Sequence, residues 1–598
     1  MTENDITEVT INYKINIDDR NYTDWKVYDA LTLNEVDKLP IDPSIEKLFS
    51  GDVFEYNRKN LLDDTLNRNT HVVSLIHSTV RSNVSIPGIL VLKGGKTFGK
   101  TSGKVSGKAN DKYLYKCIPD DKRFPVFIVP YTLKLGFSKN IDNKYVIFQF
   151  DNWNGKHPEG KLLNVLGDVD ILANYYEYQL YCKSLYASIQ TFNKTTSDAL
   201  KKKTEPEFIN TMIEKYSLHD RTSENIYSID SVGTTDYDDA FSITELTSNE
   251  SSGHTSYKIS IYIANVPMWM EELGLWNAFS ERISTIYLPD RKRPMMPNPL
   301  SNCLCSLCEG VVRLAFALDI TIIDNEIVGY KFENTYIKVY KNHVYDSKQL
   351  LYDTNHQKMV DVVNDLSRVY KYTSSIKTSG DLVSYLMILM NYYTALEMTK
   401  YSNGIYRSVN FNKDIEKQSG IPEDVNNFLK IWNSSSGQYD LYNGKKSHEM
   451  LELDAYIHCT SPIRRLVDLL NMARLQQNLS LVTYSRRFEE FENHWIGRLE
   501  YINTTMRAIR KIQNDCNLLH LCTNKPYLYE DEHDGYIFDK LNRSDGLFQY
   551  VVYLPQLKIV SRLTIRNELA DYSKYKFKIF VFHDESSLKK KIRLHLVE

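Results

Sequence analysis

One acidic stretch organises this chain, and it reads Ser228-Ile229-Asp230-Ser231-Val232-Gly233-Thr234-Thr235-Asp236-Tyr237-Asp238-Asp239-Ala240-Phe241-Ser242-Ile243. It contains four aspartates and no lysine or arginine. Asp236 and Asp238 are two residues apart, so on an extended strand their side chains share a face. Crowded carboxylates repel one another unless a cation lies between them. Hard divalent ions such as Mg²⁺, which prefer oxygen ligands, suit a cluster of this kind.

An acidic turn between two strands is the alternative interpretation of the same residues. Asp side chains cap backbone groups in many turns, and short motifs often match by chance. If the aspartates hold two metal ions, the stretch can activate a water and stabilise a leaving oxygen in phosphodiester cleavage. The rest of the chain has to decide between these two interpretations.

Length and composition limit the classes of protein to consider. A chain of 598 residues should hold several domains. The net charge is only −3, so nucleic-acid binding would depend on local basic patches. Eight cysteines without framework spacing, and no signal peptide, predict a reducing, cytoplasmic location. The apolar run 311–323 is short and contains Arg313 and Asp319, so no membrane contact is expected.

Hydrophobic patterning divides the chain into five segments. Residues 1–44 are polar and weakly patterned, and they are predicted to be an N-terminal lead. Short alternating runs predict small β-barrels over 45–112 and 113–168, a type of barrel that binds single strands through aromatic and basic side chains. Residues 169–525 mix strands with long helical patterns. Residues 526–598 alternate again and predict a third barrel.

A basic glycine loop lies at the end of the first predicted barrel, with Lys96, Lys100 and Lys104 among its lysines. Residues 94–101 match the P-loop pattern G-x-x-x-x-G-K-T. A P-loop has to open a helix, and the glycine-rich residues that follow are poor helix formers. A loop that contacts phosphates without sequence preference is the favoured interpretation, and a solvated linker is the alternative.

A second informative stretch reads Thr460-Ser461-Pro462-Ile463-Arg464-Arg465-Leu466-Val467-Asp468. Ser461 is predicted to cap a helix whose first residue is Pro462. Arg464 and Arg465 would then project from the first turn, where free N–H groups and the helix dipole favour an anion. Two guanidinium groups there predict a phosphate site. A structural ion pair with Asp468 is the alternative.

Three blocks together resemble the ribonuclease II (RNB) family of 3′→5′ exoribonucleases, which includes bacterial ribonuclease R and the hydrolytic subunit of the exosome. The blocks are Ile229-Asp230 with Asp236-Tyr237-Asp238-Asp239-Ala240; Tyr287-Leu288-Pro289 with Pro294-Met295-Met296-Pro297, Leu300-Ser301 and Cys305-Ser306-Leu307; and Thr460-Ser461-Pro462-Ile463-Arg464-Arg465 with Asp468-Leu469. The resemblance implies a multidomain α+β fold. A central RNB catalytic domain, a mixed sheet with helices over 169–525, would follow two cold-shock-like OB barrels and precede one OB-like barrel.

The resemblance also implies an activity and roles for particular residues. The activity would be Mg²⁺-dependent, processive, two-metal hydrolysis of single-stranded RNA to nucleoside 5′-monophosphates, with Mn²⁺ as a substitute ion. Arg464 would contact the scissile phosphate, and Tyr287 would stack on the 3′-terminal base. The implied metal ligands are Asp230, Asp236, Asp238 and Asp239; the implied catalytic residues are Asp238, Asp239 and Arg464; the implied substrate-binding residues are Tyr287, Arg465, Ser461, Lys96, Lys100 and Lys104.

The expected partner is single-stranded RNA, with no DNA and no membrane, and the protein is expected to be a monomer. No endonuclease domain is expected before the barrels, so tethering to an exosome is not expected. The chain departs from the family pattern at three places. The family has His and Asp where this chain has Tyr262 and Asn265, glutamates where it has Ser384 and Tyr385, and His-Arg where it has Met472 and Ala473. They keep open a catalytically degenerate RNA-binding protein, and residues 94–101 keep open an NTP-driven enzyme.

Overall fold

A computed structural model describes most of the chain, and its described residues form two compact units. One unit comprises residues 1–186, 518–531 and 578–595, and the other comprises residues 187–517, 532–577 and 596–598. The described residues are 11–37, 39–59, 70–82, 84–94, 96–101, 104–105, 108–109, 112–133, 141–246, 256–370, 376–409, 420–433, 437–444, 451, 453–525, 528, 530–584 and 589–597.

The first unit begins with a five-stranded sheet of order β3-β2-β1-β4-β5. Its strands are β1 Asn12–Ile17, β2 Trp25–Asp29, β3 Glu35–Val36, β4 Val53–Lys59 and β5 Thr70–His77. Ile15 and Ile17 of β1 are buried against Val27 and Phe54. The predicted boundary at residue 44 therefore lies inside this sheet. Strand β1 buries only these two alternate residues, which is too few to stand out among its polar neighbours.

A second sheet of the first unit has the order β11-β13-β12-β6-β10-β7, and an additional β10–β11 pairing joins five of its strands in a ring. Its first strand begins at Ile86, so the predicted boundary at residue 112 also lies inside a sheet. Gly88 and Gly160 let Phe148 pack closely, since a Cβ atom at either would lie within 2.8 Å of its ring. The strands are β6 Ile86–Leu90, β7 Thr97–Thr101, a separate hairpin of β8 Lys104–Val105 and β9 Lys108–Ala109, β10 Lys112–Pro119, β11 Phe127–Tyr131, β12 Lys144–Asn152 and β13 Glu159–Asp168.

Helix α1, Leu172–Cys182, packs on this second sheet. Its Tyr178 ring stacks on Tyr145 with the ring centroids 4.4 Å apart. The segment 94–101 leads into strand β7, whereas a P-loop would open a helix. The hypothesis of an NTP-driven enzyme therefore loses its structural basis.

The second unit is built on a closed five-stranded barrel of order β14-β15-β16-β19-β20. The pairing of β14 with β20 is parallel and the others are antiparallel, which confirms the predicted mixed sheet. The elements, in chain order, are α2 Gln190–Leu200, α3 Glu205–Tyr216, β14 His219–Asp230, β15 Asp239–Leu246, β16 Ser256–Ala264, α4 Val266–Glu272, β17 Ile286–Tyr287, β18 Lys292–Arg293, β19 Val312–Ile323 and β20 Glu326–Val344.

One face of the barrel strands is apolar and packs against three helices. Phe241, Ile261 and Leu318 are fully buried there with Met359 and Leu386. The helices are α5 Lys348–Leu351, α6 Thr354–Val369 and α7 Ser379–Lys400. Asp353 caps α6 by accepting hydrogen bonds from the N–H groups of residues 355 and 356, which fixes where that helix begins.

The remaining elements lead into the C-terminal sheet, whose order is β25-β24-β23-β26-β27. Helix α8 packs on this sheet, and its Phe428 ring stacks on Tyr553 at 3.7 Å. No helix of the described residues is both long and apolar enough to span a membrane. The elements are β21 Ile405–Ser408, α8 Glu423–Asn433, β22 Gln438–Leu441, α9 Leu466–Asn478, α10 Arg486–Ile496, α11 Leu499–Asn524, β23 His533–Asn542, β24 Phe548–Leu554, β25 Ile559–Ile565, β26 Lys574–Asp584 and β27 Lys589–Leu596.

Candidate active site

Asp238 joins the acidic stretch to the arginine stretch. Its side chain is buried, with 3% of the residue exposed. Oδ1 accepts a hydrogen bond of 3.1 Å from the Ile463 N–H, and Oδ2 accepts one of 3.1 Å from Arg464 Nε. The start of strand β15 fixes the backbone here, because the Asp238 carbonyl accepts the Ala264 N–H at 2.8 Å. Two sequence blocks more than 200 residues apart therefore form one site.

The Arg464 guanidinium is held from two directions. Nη2 donates a hydrogen bond of 3.0 Å to Ser461 Oγ, while Nε donates to Asp238. The backbone is fixed as well, because the Arg464 carbonyl accepts the Thr285 N–H at 3.0 Å. Burial alone would lower the pKa of Arg464, but the negative charges of Asp238 and its neighbours raise it overall. Arg464 therefore stays cationic beside the carboxylates.

The prediction that Ser461 caps a helix beginning at Pro462 is wrong. Helix α9 begins at Leu466, and Arg465 before it is extended and forms a β-bridge with Ser284. Pairing with this distant segment overrides the local N-cap pattern, since an extended residue 465 cannot belong to a helix. Residues 461–464 form a turn that leads into the bridge.

Arg465 makes the ion pair that was the alternative interpretation. Its Nη2 lies 2.7 Å from Asp468 Oδ1, which also accepts the Ser461 N–H at 2.8 Å. Asp468 therefore ties the turn to the first turn of α9. Arg464 is directed to the aspartate cluster, whereas Arg465 is directed to its own helix.

The other aspartates supply buried oxygens without hydrogen-bond partners. Asp230 Oδ2 and Asp239 Oδ2 are both buried and make no hydrogen bond within the described part of the chain. Burial raises the pKa of Asp230 to about 6 and that of Asp238 to about 7. Burial and the charges of Asp230 and Asp238 raise the pKa of Asp239 further. A hard cation with oxygen ligands fits these unpartnered carboxylates.

Side chains of the protein hold this cluster together in the structure. Across residues 11–597, excluding the undescribed segments, no group of three or more His, Cys, Asp or Glu side chains converges as a ready-made metal site. Arg464 pairs with Asp238, and Lys292 pairs with Asp236. A divalent ion that uses all four aspartates would therefore have to compete with these two cations.

Lys292 was not predicted from the sequence. Its Nζ lies 2.7 Å from Asp236 Oδ1 and 2.7 Å from Thr235 Oγ1. Lys292 is on β18 and pairs with Tyr287 of β17. A hairpin with its turn at residues 288–291 is the sequence feature that could have predicted a cross-strand pair between this lysine and Tyr287. No local signal connects it to Asp236, which is 56 residues away.

Two tyrosines lie beside the carboxylates. Tyr287 is 41% exposed, and its N–H donates a hydrogen bond of 3.0 Å to Gln513 Oε1 on α11. Burial of the phenol and the charges of Asp236 and Asp238 raise the pKa of Tyr287 to about 12, although Arg464 opposes this. Tyr345 was not predicted; burial and the nearby aspartates raise its pKa to about 12 as well.

The second sequence block clamps the acidic loop. Ser306 Oγ accepts the Tyr237 N–H at 2.9 Å and donates to the Thr235 carbonyl at 3.1 Å. The Leu307 N–H donates to the Tyr237 carbonyl at 3.0 Å. These contacts hold Asp236 and Asp238 from both sides of Tyr237, which explains why the two blocks occur together.

The predicted lysines of the glycine loop belong to the first unit. Lys96 is exposed. The side chains of Lys100 and Lys104 lie outside the described residues. Their predicted contacts with RNA phosphates therefore remain predictions.

The positions that depart from the family pattern lie mostly in the interior. Tyr262 donates a hydrogen bond of 2.6 Å to Glu224, and Asn265 donates one of 2.9 Å to Asn334. Tyr385, Met472 and Ala473 are fully buried, and Ser384 is exposed. Each buried replacement is accommodated by hydrogen bonds or packing, so the fold tolerates these departures.

Family models match two parts of the chain. A model described as the RNB domain matches residues 218–386 and 377–481, and one described as Dis3-like cold-shock domain 2 matches residues 114–177. Ribonuclease R of Thermotoga maritima is 28% identical over 261 residues, which is 40% of this chain and 34% of that protein. Ribonuclease R of Mycoplasmopsis pulmonis is 28% identical over 343 residues, 45% of each chain. The chain spans less than half the length of these curated relatives.

Solved structures share the fold at low sequence identity. Mycoplasma genitalium RNase R in complex with ribose-methylated single-stranded RNA aligns with a TM-score of 0.65 at 16% identity, covering 98% of this chain and 100% of that one. Yeast Ssd1, a pseudonuclease, aligns with a TM-score of 0.57 at 14% identity, covering 96% and 81%. The predicted multidomain α+β fold with cold-shock-like and catalytic-type domains is confirmed. The fold alone does not separate catalysis from binding.

Proposed function

We propose that this chain, whose residues 218–386 and 377–481 match the RNB domain, is a divalent-metal-dependent 3′→5′ exoribonuclease that hydrolyses single-stranded RNA to nucleoside 5′-monophosphates. One observation carries the proposal. Asp238 binds Arg464, while Asp230 and Asp239 each present a buried oxygen without a partner in the described residues. Cation-binding carboxylates beside a fixed guanidinium are what hydrolysis of a phosphodiester requires.

The four aspartates would hold the metal, Mg²⁺ by preference and Mn²⁺ as a substitute. Divalent ions bound there supply an activated water and neutralise the leaving oxygen. Arg464 binds the scissile phosphate. Its Nε is bound to Asp238 and its Nη2 to Ser461, which uses two of the five N–H donors of the guanidinium. The remaining donors can reach a phosphate oxygen as negative charge develops.

Tyr287 holds the 3′-terminal base by stacking, which is tolerant of sequence because every base has an aromatic face. Gln513 fixes the backbone of Tyr287. Ser461 and Arg465 position the turn that carries Arg464: Ser461 binds the guanidinium, and Arg465 binds Asp468. The substrate roles implied for these two residues are therefore indirect in this proposal.

A catalytically degenerate RNA-binding protein is the second candidate, and Lys292 is the observation that favours it. A lysine ammonium 2.7 Å from Asp236 supplies positive charge that a metal ion would otherwise supply. If this pair is stable in solution, Asp236 is neutralised without a metal ion and the site would bind RNA without cleaving it.

Product analysis with 3′-labelled single-stranded RNA tests the proposed activity. We expect the label to appear at once as a nucleoside 5′-monophosphate in Mg²⁺. Asp238→Asn should abolish this release, and Asp52→Asn is the matched control, because Asp52 is also a buried carboxylate with a raised pKa but lies in the first unit. Label released only as longer fragments would contradict the proposed direction of cleavage. Equal release by Asp238→Asn and wild type would contradict the proposed site.

A further inference from the structure

Three arginines of the second unit lie close together. Arg407 is on β21, and Arg507 and Arg510 are one turn apart on α11. Burial lowers the pKa of Arg510, and the positive charges of Arg407 and Arg507 lower it further. Within the described residues none of the three forms an ion pair. Like charges crowded in this way are costly unless an anion joins them.

The Arg407 guanidinium is held in place by contacts with Gly437 and Tyr439. Its Nη1 donates a hydrogen bond of 3.0 Å to the Gly437 carbonyl, and its Cζ lies 5.2 Å from the centre of the Tyr439 ring. A Cβ atom at position 437 would lie 2.5 Å from Arg407 Nη2. A side chain at position 437 would therefore have to displace the end of the Arg407 side chain.

Helix α11 connects this cluster to the proposed site of the RNA 3′ end. Asn503 Oδ1 accepts the Tyr439 N–H at 2.8 Å, and Gln513 Oε1 accepts the Tyr287 N–H at 3.0 Å. Positions 503, 507, 510 and 513 follow helical spacing and share one side of α11. With a rise of about 1.5 Å per residue, Arg510 lies about 4.5 Å and Arg507 about 9 Å along the axis from Gln513.

Tyr439 connects the three arginines to the segment that precedes Arg464. The charges of Arg465, Arg407 and Arg510 all act on the Tyr439 phenol, and its OH lies 2.8 Å from His458 Nδ1. His458 lies three residues before Ser461, so Tyr439 connects the arginine cluster to the segment that leads into the turn of Arg464.

We infer that Arg407, Arg507 and Arg510 form a phosphate-binding track for the RNA backbone immediately upstream of the 3′ end held at Tyr287. The inference rests on the proposed function, which supplies single-stranded RNA as the ligand. Guanidinium groups bind phosphate oxygens strongly, and backbone contacts position a strand without reading its sequence. The track would thus hold the strand in register while its last nucleotide is removed.

Fluorescence anisotropy of 5′-labelled single-stranded RNA in EDTA tests the track without turnover. The variants are Arg407→Gln, Arg507→Gln and Arg510→Gln, with Arg486→Gln as control, because Arg486 is exposed on α10 and pairs with Glu490. Each variant should weaken binding and lower the slope of log K against log[salt] by about 0.7, the value for one phosphate contact on a single strand. The control should keep the wild-type affinity and slope.

A further variant keeps the charge of Arg407 but changes its position. Gly437→Ala should displace the Arg407 guanidinium, so it should weaken RNA binding although no charge is lost. Unchanged thermal unfolding of Arg507→Gln and Arg510→Gln, both at exposed positions, would show that these variants fold. Wild-type affinity and salt slope in all three arginine variants would overturn the inference.

The salt slopes and the cleavage assay together show whether the phosphate-binding track or the proposed function is wrong. Reduced slopes in a protein that does not cleave RNA in Mg²⁺ would support the track and contradict the exonuclease proposal. Unchanged slopes in a protein that does cleave RNA would contradict the track alone. No RNA binding by the wild-type protein in EDTA would contradict the track whatever the cleavage result.

Discussion

Replacement of Lys292 by methionine should raise the affinity of the aspartate cluster for Mg²⁺. The Lys292 ammonium lies 2.7 Å from Asp236 Oδ1 and 2.7 Å from Thr235 Oγ1. A metal ion that binds Asp236 must displace this ammonium or tolerate its repulsion. Methionine is unbranched and apolar, so it fills much of the same space without the charge.

The structure gives the size of the effect. Two unit charges about 4 Å apart interact by about 4 kcal/mol at an effective dielectric constant of 20. The Lys292 side chain is 27% exposed and that of Asp236 is 10% exposed, so water screens part of the attraction. With that screening the ion pair should oppose metal binding by about 1–2 kcal/mol. Mg²⁺ affinity should therefore rise by about 5- to 30-fold in Lys292→Met.

Isothermal titration calorimetry of Mg²⁺ into RNA-free protein measures this directly. Lys258→Met is the matched control, because Lys258 is 25% exposed and pairs with Glu224, which is 23% exposed, away from the cluster. The control should leave Mg²⁺ affinity unchanged. Equal or weaker Mg²⁺ binding by Lys292→Met would refute the reasoning, since Lys292 would then not compete with the ion.

Three further predictions concern activity, pH and packing. Asp238→Asn should slow nucleotide release by at least about 100-fold, because the site loses one carboxylate and the charge that holds Arg464; initial rates at saturating Mg²⁺ measure this. Burial lowers the pKa of His343 and His356, so the unfolded chain gains their protons first as pH falls. These two histidines should then lower the free energy of unfolding between pH 7 and pH 5 by up to about 1.4 kcal/mol per pH unit each, in urea titrations. The raised pKa values of Asp230 and Asp238 act in the opposite direction, so the prediction is read as the difference between wild type and a His343→Phe, His356→Phe double variant. Leu429→Ala should cost about 2–5 kcal/mol in the same titrations, since Leu429 of α8 is fully buried against the C-terminal sheet.

Each of these predictions has a result that would contradict it. Wild-type turnover by Asp238→Asn would remove Asp238 from the mechanism. The same pH dependence in a His343→Phe, His356→Phe double variant as in wild type would show that other groups cause it. A Leu429→Ala variant as stable as wild type would mean that α8 does not depend on this contact, and Ile431→Ala, at an exposed position of α8, is its control.

The sequence was most informative where one local pattern carried the chemistry. The spacing of Asp236 and Asp238 predicted a shared face on an extended strand, but β15 begins one residue later, at Asp239. The order of the three blocks predicted that Arg464 belongs with them, and Arg464 does contact Asp238. The acidic stretch could be identified from the sequence because its carboxylates are close neighbours along the chain.

Contacts between residues far apart in sequence explain two features that the sequence did not predict. Ser461 and Pro462 form a good helix start by local criteria, yet the β-bridge between Arg465 and Ser284 moves the start of α9 to Leu466. Lys292 reaches Asp236 only because the barrel and the β17–β18 hairpin bring them together. Neither contact is encoded in a local window of sequence.

Domain boundaries were difficult for a related reason. Strand β1 pairs with β4 across about 40 residues, with Tyr13 opposite Phe54. Its polar residues hide a strand that buries only Ile15 and Ile17. A sheet assembled from distant strands shows no boundary in local composition, so the predicted divisions at residues 44 and 112 followed changes in pattern and missed the sheets.

The most direct test of the central claim uses 5′-labelled single-stranded RNA with a free 3′ end, incubated with the protein in Mg²⁺ and separately in EDTA. A metal-dependent exoribonuclease should convert full-length RNA to a short 5′ end-product with release of mononucleotides, and only in Mg²⁺. Intact RNA that stays tightly bound in both incubations would contradict the claim, and it would favour the second candidate, an RNA-binding protein that does not cleave RNA.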